Sequence, residues 1–145
     1  MRSIQFFYDG VPFRLKGIRA IKLWIEGAIK AEGKQLANIS VIFCTDAALL
    51  QINTNYLKHE TLTDIITFDF TEEQGFLEGE IYISIERVSE NAAKFSTSFD
   101  CELERVLIHG VLHLIGYSDK NSAQKRVMRK KENQYLSLRR PHALL

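Results

Sequence analysis

The chain has 145 residues, 46% hydrophobic and 26% charged, with a formal net charge of +1, the balance of a soluble globular protein able to bury a core of its own. No apolar run is long enough to span a bilayer, and Met1-Arg2-Ser3-Ile4-Gln5-Phe6-Phe7 has neither the apolar stretch nor the small-residue cleavage site of a secretory signal, so a cytoplasmic protein is expected. The two cysteines, Cys44 and Cys101, lack any zinc-finger spacing; both are expected to be reduced and structural, and a metal would have to rely on histidines and carboxylates.

In chain order, Ile4 to Tyr8 reads as a strand closed by an Asp9-Gly10 turn. Ile18, Ile21, Trp24, Ile25, Ala28 and Ile29 repeat at helical spacing, and Gly33 follows as a stop. The β-branched run Ile39 to Cys44 predicts a buried strand, and Asp46 is the expected N-cap of a helix burying Leu49, Ile52 and Tyr56. Ile66, Phe68 and Phe70 alternate with Ile65, Thr67 and Asp69, a half-buried strand. Glu72 to Gly79 reads as a loop, and Ile81, Ile83 and Ile85 as the cleanest strand. Glu86 to about Phe95 predicts a helix broken by Ser96-Thr97-Ser98. Asp100 is the expected cap of the next helix, which runs to about Ile115, and Ser122 that of a last helix to about Leu138. No repeat or linker divides the chain, so residues 1–145 read as one α+β domain: four strands in a mixed sheet with about five helices packed on it.

The chemistry concentrates in His109-Gly110-Val111-Leu112-His113-Leu114-Ile115-Gly116-Tyr117-Ser118-Asp119. Residues four apart share a helix face, so His109 and His113 can reach one ion. Gly116 can end the helix in a left-handed conformation and turn Asp119 back as a third ligand. Three protein ligands leave a tetrahedral metal one open position, the arrangement of a catalytic site. The plainer alternative is a pair of core histidines bonded to backbone carbonyls. The helix around them is apolar nearly all round, and burying unpaired imidazoles is costly; a metal would satisfy both at once.

The spacing H-x-x-x-H-x-x-G-x-x-D parallels the metzincin protease pattern H-E-x-x-H-x-x-G-x-x-H. Gly110 stands where those proteases carry their general base, which argues against peptide hydrolysis by the usual route, whereas activation of water and polarisation of a phosphoryl oxygen remain open to a metal. Zinc is the expected divalent ion for two imidazoles and a carboxylate, and nickel would also accept these ligands.

Here the resemblance becomes specific. His109 to Asp119, H-G-V-L-H-L-I-G-Y-S-D, resembles the hallmark H-G-x-L-H-L-x-G-Y-D-H of the YbeY family of bacterial ribosomal RNA maturation endoribonucleases. Ser118 stands for the family Asp, and Asp119 for its last His. A second block, Asn53 to Phe68, is similar to the family at Asn53, Tyr56, Thr63, Asp64 and Phe68, with Leu57 at the position of a family Arg and Leu62 at that of a Pro. Gly79 to Ser84 resembles a family G-D-I-x-I-S strand, so the likeness runs from about Asn53 to Glu132.

The resemblance implies a metzincin-like metal helix, metal ligands His109, His113 and Asp119, and single-strand RNA cleavage in small-subunit ribosomal RNA maturation and ribosome quality control, with ribosomal RNA and the ribosome as partners. It also implies that the strand Ile81–Ile85 lines the cleft. Lys58 is the candidate to replace the charge absent at Leu57, although a solvated lysine at a helix end is the plainer reading, and His59 reads as a surface residue. Beyond a metal-bound water no catalytic group is assigned. Between Lys120 and Arg140 there are eight Lys or Arg against a single acid; Arg126, Arg129, Lys130 and Lys131 are candidates for phosphate contact, with a solvated helix face as the alternative. Met128 reads as core. The other functions weighed are a zinc hydrolase of another substrate, such as a peptidase, and a non-catalytic ribosome-associated metal protein.

Overall fold

The computed structural model describes residues 2–57 and 63–139. Its elements run β1 (Ser3–Tyr8), α1 (Ile18–Ala31), β2 (Gln35–Cys44), α2 (Asp46–Leu57), β3 (Ile65–Asp69), β4 (Phe76–Ser84), α3 (Ile85–Lys94), α4 (Phe99–Ile115) and α5 (Ser122–Arg139). The strands form one mixed sheet in the order β1-β2-β4-β3. β1 and β4 both pair in parallel with β2, and β3 pairs antiparallel with β4. The expected α+β architecture is therefore the one found.

Alternation along the strands divides the core between the two faces of the sheet. Phe43, Ile81 and Ile83 point to the face covered by α1 and α4, where they join Ile25, Ile29, Leu107, Ile108 and Val111 in the main cluster. Cys44, Ile66 and Tyr82 point the other way and pack with Leu49 and Ile52 of α2. α4 is buried along most of its length, from Leu103 through Leu114, as its apolar composition dictates. Each such Leu or Ile contributes roughly 1.5–3 kcal/mol by leaving water. Met128 is core, at 2% exposure.

Several boundaries differ from the sequence reading. β4 begins at Phe76, inside the stretch expected to be a loop, because Phe76 to Gly79 pair with Gln35 to Ile39 of a β2 that is itself longer than its apolar run. β4 ends at Ser84, whose hydroxyl accepts from Arg87 N–H and caps α3, so Ile85 is helical. β4 is also an interior strand; the edge beside it is β3. The caps shift by one or two residues. Thr45, not Asp46, accepts from Ala48 N–H at the start of α2. Ser98, not Asp100, accepts from Cys101 N–H at the start of α4, and Asn121, not Ser122, accepts from Gln124 N–H at the start of α5. In each case the residue just outside the helix has the short oxygen that reaches the first free N–H groups. Asp46 instead takes the Ser84 hydroxyl at 2.6 Å and the Arg87 guanidinium at 2.8 Å, tying α2 to α3.

Both cysteines are free. Burial, helped by the nearby charges of Asp9, Asp46 and Glu86, pushes the Cys44 thiol up to about 11, so it stays neutral and unreactive at physiological pH. Among the described residues, no helix is long and apolar enough to cross a membrane.

Candidate metal centre

α4 carries both histidines to one end of the sheet. Its last turn closes at Gly116, which adopts φ +127°, a conformation that favours glycine. The N–H groups of Gly116 and Tyr117 both donate to the Leu112 carbonyl, at 3.1 and 3.0 Å. This turn returns the chain so that Asp119 faces the two imidazoles. His109 Nε2 and His113 Nε2 lie 3.0 Å apart, and Asp119 Oδ2 lies 3.4 Å from each. Four-coordinate zinc with bonds of about 2.0–2.1 Å to nitrogen and oxygen places tetrahedral ligands about 3.3 Å apart. The three atoms therefore match the donor set and the spacing of one small divalent ion, and this group could hold a metal.

The hydrogen bonds behind the rings sharpen the case. His109 Nδ1 donates to Glu132 Oε2 at 2.7 Å, and His113 Nδ1 donates to the Tyr117 carbonyl at 3.0 Å. Both bonds place the ring proton on Nδ1, leaving two Nε2 lone pairs directed at a carboxylate. Such a convergence requires a proton or a cation between the groups. The alternative of two histidines satisfied by backbone carbonyls accounts for His113 Nδ1 alone; both Nε2 atoms face each other and Asp119 rather than a carbonyl.

Glu132 is buried, with 6% of its side chain exposed, and its second oxygen accepts from Arg105 at 2.9 Å. Burial alone would raise its carboxyl, but the His109 and Arg105 bonds hold it below its ordinary range. Burial likewise would lower the His109 imidazole; the bond and charge of Glu132, with Asp119 and Asp64 adding, hold it above its ordinary value. Burial raises the carboxyls of Asp64 and Glu102, partly opposed by His109 at the first and by Arg105 at the second. These groups share a cleft of about 330 Å³ that also takes in Asn91, Phe95, Val106, Asp119 and Arg129.

Gly110, where a metzincin protease carries its base, faces the sheet. A Cβ there would lie 2.7 Å from Ile65 Cδ1 and 3.0 Å from Ile81 Cγ2, so no side chain from this position can reach the cleft in this packing. Ile81 and Ile83 are wholly buried, which corrects the expectation that β4 lines the cleft. Lys58 and His59 lie outside the described residues. Nor is the basic α5 a uniform surface: Lys131 pairs with Glu32 at 3.1 Å, Arg139 with Glu104 at 3.7 Å, and Arg129 reaches Glu132 at 3.8 Å from an exposed position.

Sequence reasoning found all three residues that converge and missed their support. Glu132 had a signal: it is the single acid in the basic stretch from Lys120 to Arg140. Arg105 and Glu102 had none beyond lying one and two turns before His109.

The family described as Endoribonuclease YbeY matches residues 15–139. The chain is 48% identical over 134 residues to the endoribonuclease YbeY of Amoebophilus asiaticus, covering 92% of this chain and 91% of that one. It is 49% identical over 136 residues to that of Christiangramia forsetii, covering 94% of each. Among solved structures, the solution structure of a Thermotoga maritima protein superposes with a TM-score of 0.63 at 31% identity, covering 93% of this chain and 87% of that one.

Proposed function

The chain belongs to the endoribonuclease YbeY family, and on that premise we propose that it is a metal-dependent, single-strand-specific endoribonuclease acting in small-subunit ribosomal RNA maturation and ribosome quality control. Residues 1–145 act as one hydrolase domain, in the cytoplasm, with ribosomal RNA and the ribosome as partners. The observation that carries the reading is the convergence of His109 Nε2, His113 Nε2 and Asp119 Oδ2 within 3.4 Å of one another at the wall of the cleft.

In this reading those three residues hold one divalent ion, zinc by its ligand set. When bound, the ion supplies a Lewis acid for a phosphoryl oxygen and lowers the pKa of water at its open position. Glu132 keeps the His109 proton on Nδ1 and so keeps Nε2 available; the Tyr117 carbonyl does the same for His113. Arg105 holds Glu132 in place. In this reading Arg129, exposed at the rim and 3.8 Å from Glu132, meets the RNA backbone, a contact that positions the strand without reading its sequence. Gly110 supplies close packing in place of a base, which disfavours a peptidase.

The test combines metal analysis with cleavage. Wild-type protein should carry about one equivalent of metal, cut single-stranded ribosomal RNA, lose cutting on chelation and regain it with zinc. His113→Ala should fold, carry no metal and cut nothing. Equal metal content in wild type and His113→Ala would refute the assignment, and cleavage insensitive to chelation would refute metal dependence.

A further inference from the structure

Phe95 is 59% exposed, and it lines the same cleft as His109 and Asp119. Single exposed aromatics are ordinary on protein surfaces; what sets this one apart is its place in the lining of the cleft. α3 ends in a six-residue turn in which Thr97 N–H donates to the Ala92 carbonyl at 3.0 Å and Ser96 N–H to the Ala93 carbonyl at 3.3 Å. Ser96 takes the left-handed conformation of that turn, at φ +54°, where glycine is the usual choice. The hydrophobic contact of such a cap falls on the residues flanking the turn and does not involve the ring of Phe95. The turn instead holds Phe95 at the lip of the cleft.

Charge in the cleft is segregated. Its walls carry Asp64, Glu102, Asp119 and Glu132, and Arg105 is already tied to Glu132. Two cations stand toward its opening: Arg129, which lines the cleft and reaches Glu132 at 3.8 Å while most of its side chain stays exposed, and Lys94, whose Nζ lies over the Phe95 ring, 5.6 Å from its centroid. Acidic walls repel phosphate and accept the donor groups of a base, while rim cations accept phosphate. Asn91, one helical turn before Phe95, also lines the cleft and offers an amide. A volume of about 330 Å³ is at the small end of ligand pockets.

We infer that Phe95 is a base-stacking platform: one nucleobase of the RNA lies on its ring beside the scissile phosphate, with the sugar–phosphate chain running along the rim past Lys94 and Arg129. This rests on the endoribonuclease reading and gives it a source of strand selectivity. A base can lie on Phe95 only when it is unstacked from its own helix, so a duplex pays an unpairing cost that a single strand does not. Stacking of this kind tolerates any base, so the platform selects single strands without selecting sequence.

The experiment is an equilibrium titration and a steady-state cleavage assay on a single-stranded RNA oligomer carrying 2-aminopurine at successive positions around its cleavage point. Wild type, Phe95→Ala, Phe95→Leu and Phe95→Trp are compared. Stacking should quench 2-aminopurine at one position in wild type and Phe95→Trp but not in Phe95→Ala. Removing the platform should raise Kd and KM by roughly 5- to 150-fold, the fold-change that corresponds to loss of one base–aromatic stack, with kcat changed less than threefold. Phe95→Leu, which keeps apolar area but no ring face, should behave as Phe95→Ala. An abasic residue at the quenched position should weaken wild type and leave Phe95→Ala unaffected. Because Phe95 is exposed, the variants should retain the wild-type circular dichroism and metal content. A Phe95→Ala protein that binds and cleaves like wild type overturns the platform and leaves the nuclease reading intact. A wild-type protein that neither binds nor cleaves the oligomer overturns both.

Discussion

Glu132 shows how far the site extends beyond its three converging atoms. It holds the His109 proton and is itself held by Arg105, so its effect on a metal is exerted through the imidazole. Glu132→Gln should lower zinc affinity by about 10–100-fold, read by competition against a chromophoric chelator; unchanged affinity would mean that His109 needs no outer partner. Asp119 and its neighbour Ser118 are where the chain departs from the hallmark, and of the two Asp119 is the one that faces the histidines. Its carboxylate sits at equal distance from both Nε2 atoms. Asp119→Ala should therefore lose stoichiometric metal, whereas Asp119→His, which restores a nitrogen donor, should keep it. Metal content by plasma emission checks both.

At the scale of elements, the site depends on how closely α4 can approach the sheet. Gly110 sits against Ile65 of β3 and Ile81 of β4, and Gly79 sits against Leu114 and the Phe68 carbonyl, with which a Cβ would clash. Two glycines, one on each side of the interface, let helix and strands come together where the ligands emerge. Gly110→Ala should cost about 1–3 kcal/mol by overpacking, partly relieved because the Ile65 methyl it meets is the end of a flexible side chain. Urea denaturation would show this as a lower midpoint at unchanged slope, and a midpoint equal to wild type would mean the interface has slack. The position was legible as "not a base" in the sequence. Its packing role was not, because the partners Ile65 and Ile81 are distant in the chain and nothing local marks them.

At the scale of the molecule, α1, α4 and α5 are tied together through one carboxylate. Glu32, just past α1, accepts from the hydroxyls of Tyr117 and Tyr135 and from the Lys131 ammonium, while Trp24 Nε1 donates to the Tyr135 carbonyl at 2.8 Å. Because Tyr117 also receives the His113 proton on its carbonyl, this cluster anchors the turn that positions Asp119. Burial would raise the Glu32 carboxyl, but its three hydrogen bonds and the Lys131 charge hold it below its ordinary value of 4.5. A carboxyl depressed in the folded state stabilises the fold above its unfolded pKa and loses that contribution as pH falls through the folded one. Glu32→Gln should therefore destabilise the protein by about 1–3 kcal/mol at pH 7, and the gap to wild type should narrow below about pH 4.5. Chemical denaturation at the two pH values checks this; a gap independent of pH would show that the charge of Glu32 is not what matters.

The sequence alone determined the α+β class, the helix carrying His109 and His113, the stop at Gly116 and the return of Asp119. These follow from local periodicity and from spacings of three and four residues, which backbone geometry converts directly into faces and turns. Only the tertiary structure decided what stands behind and around those residues. Strand order put β3 at the edge and β4 inside. Hydrogen bonding chose Thr45, Ser98 and Asn121 as caps over their neighbours. The fold brought Glu132 and Arg105, 27 residues apart in the chain, against His109, and set Phe95 at the mouth of the same cleft. Such contacts depend on which elements pack together and in what register, and that information is spread across the whole chain rather than held in any one stretch of it.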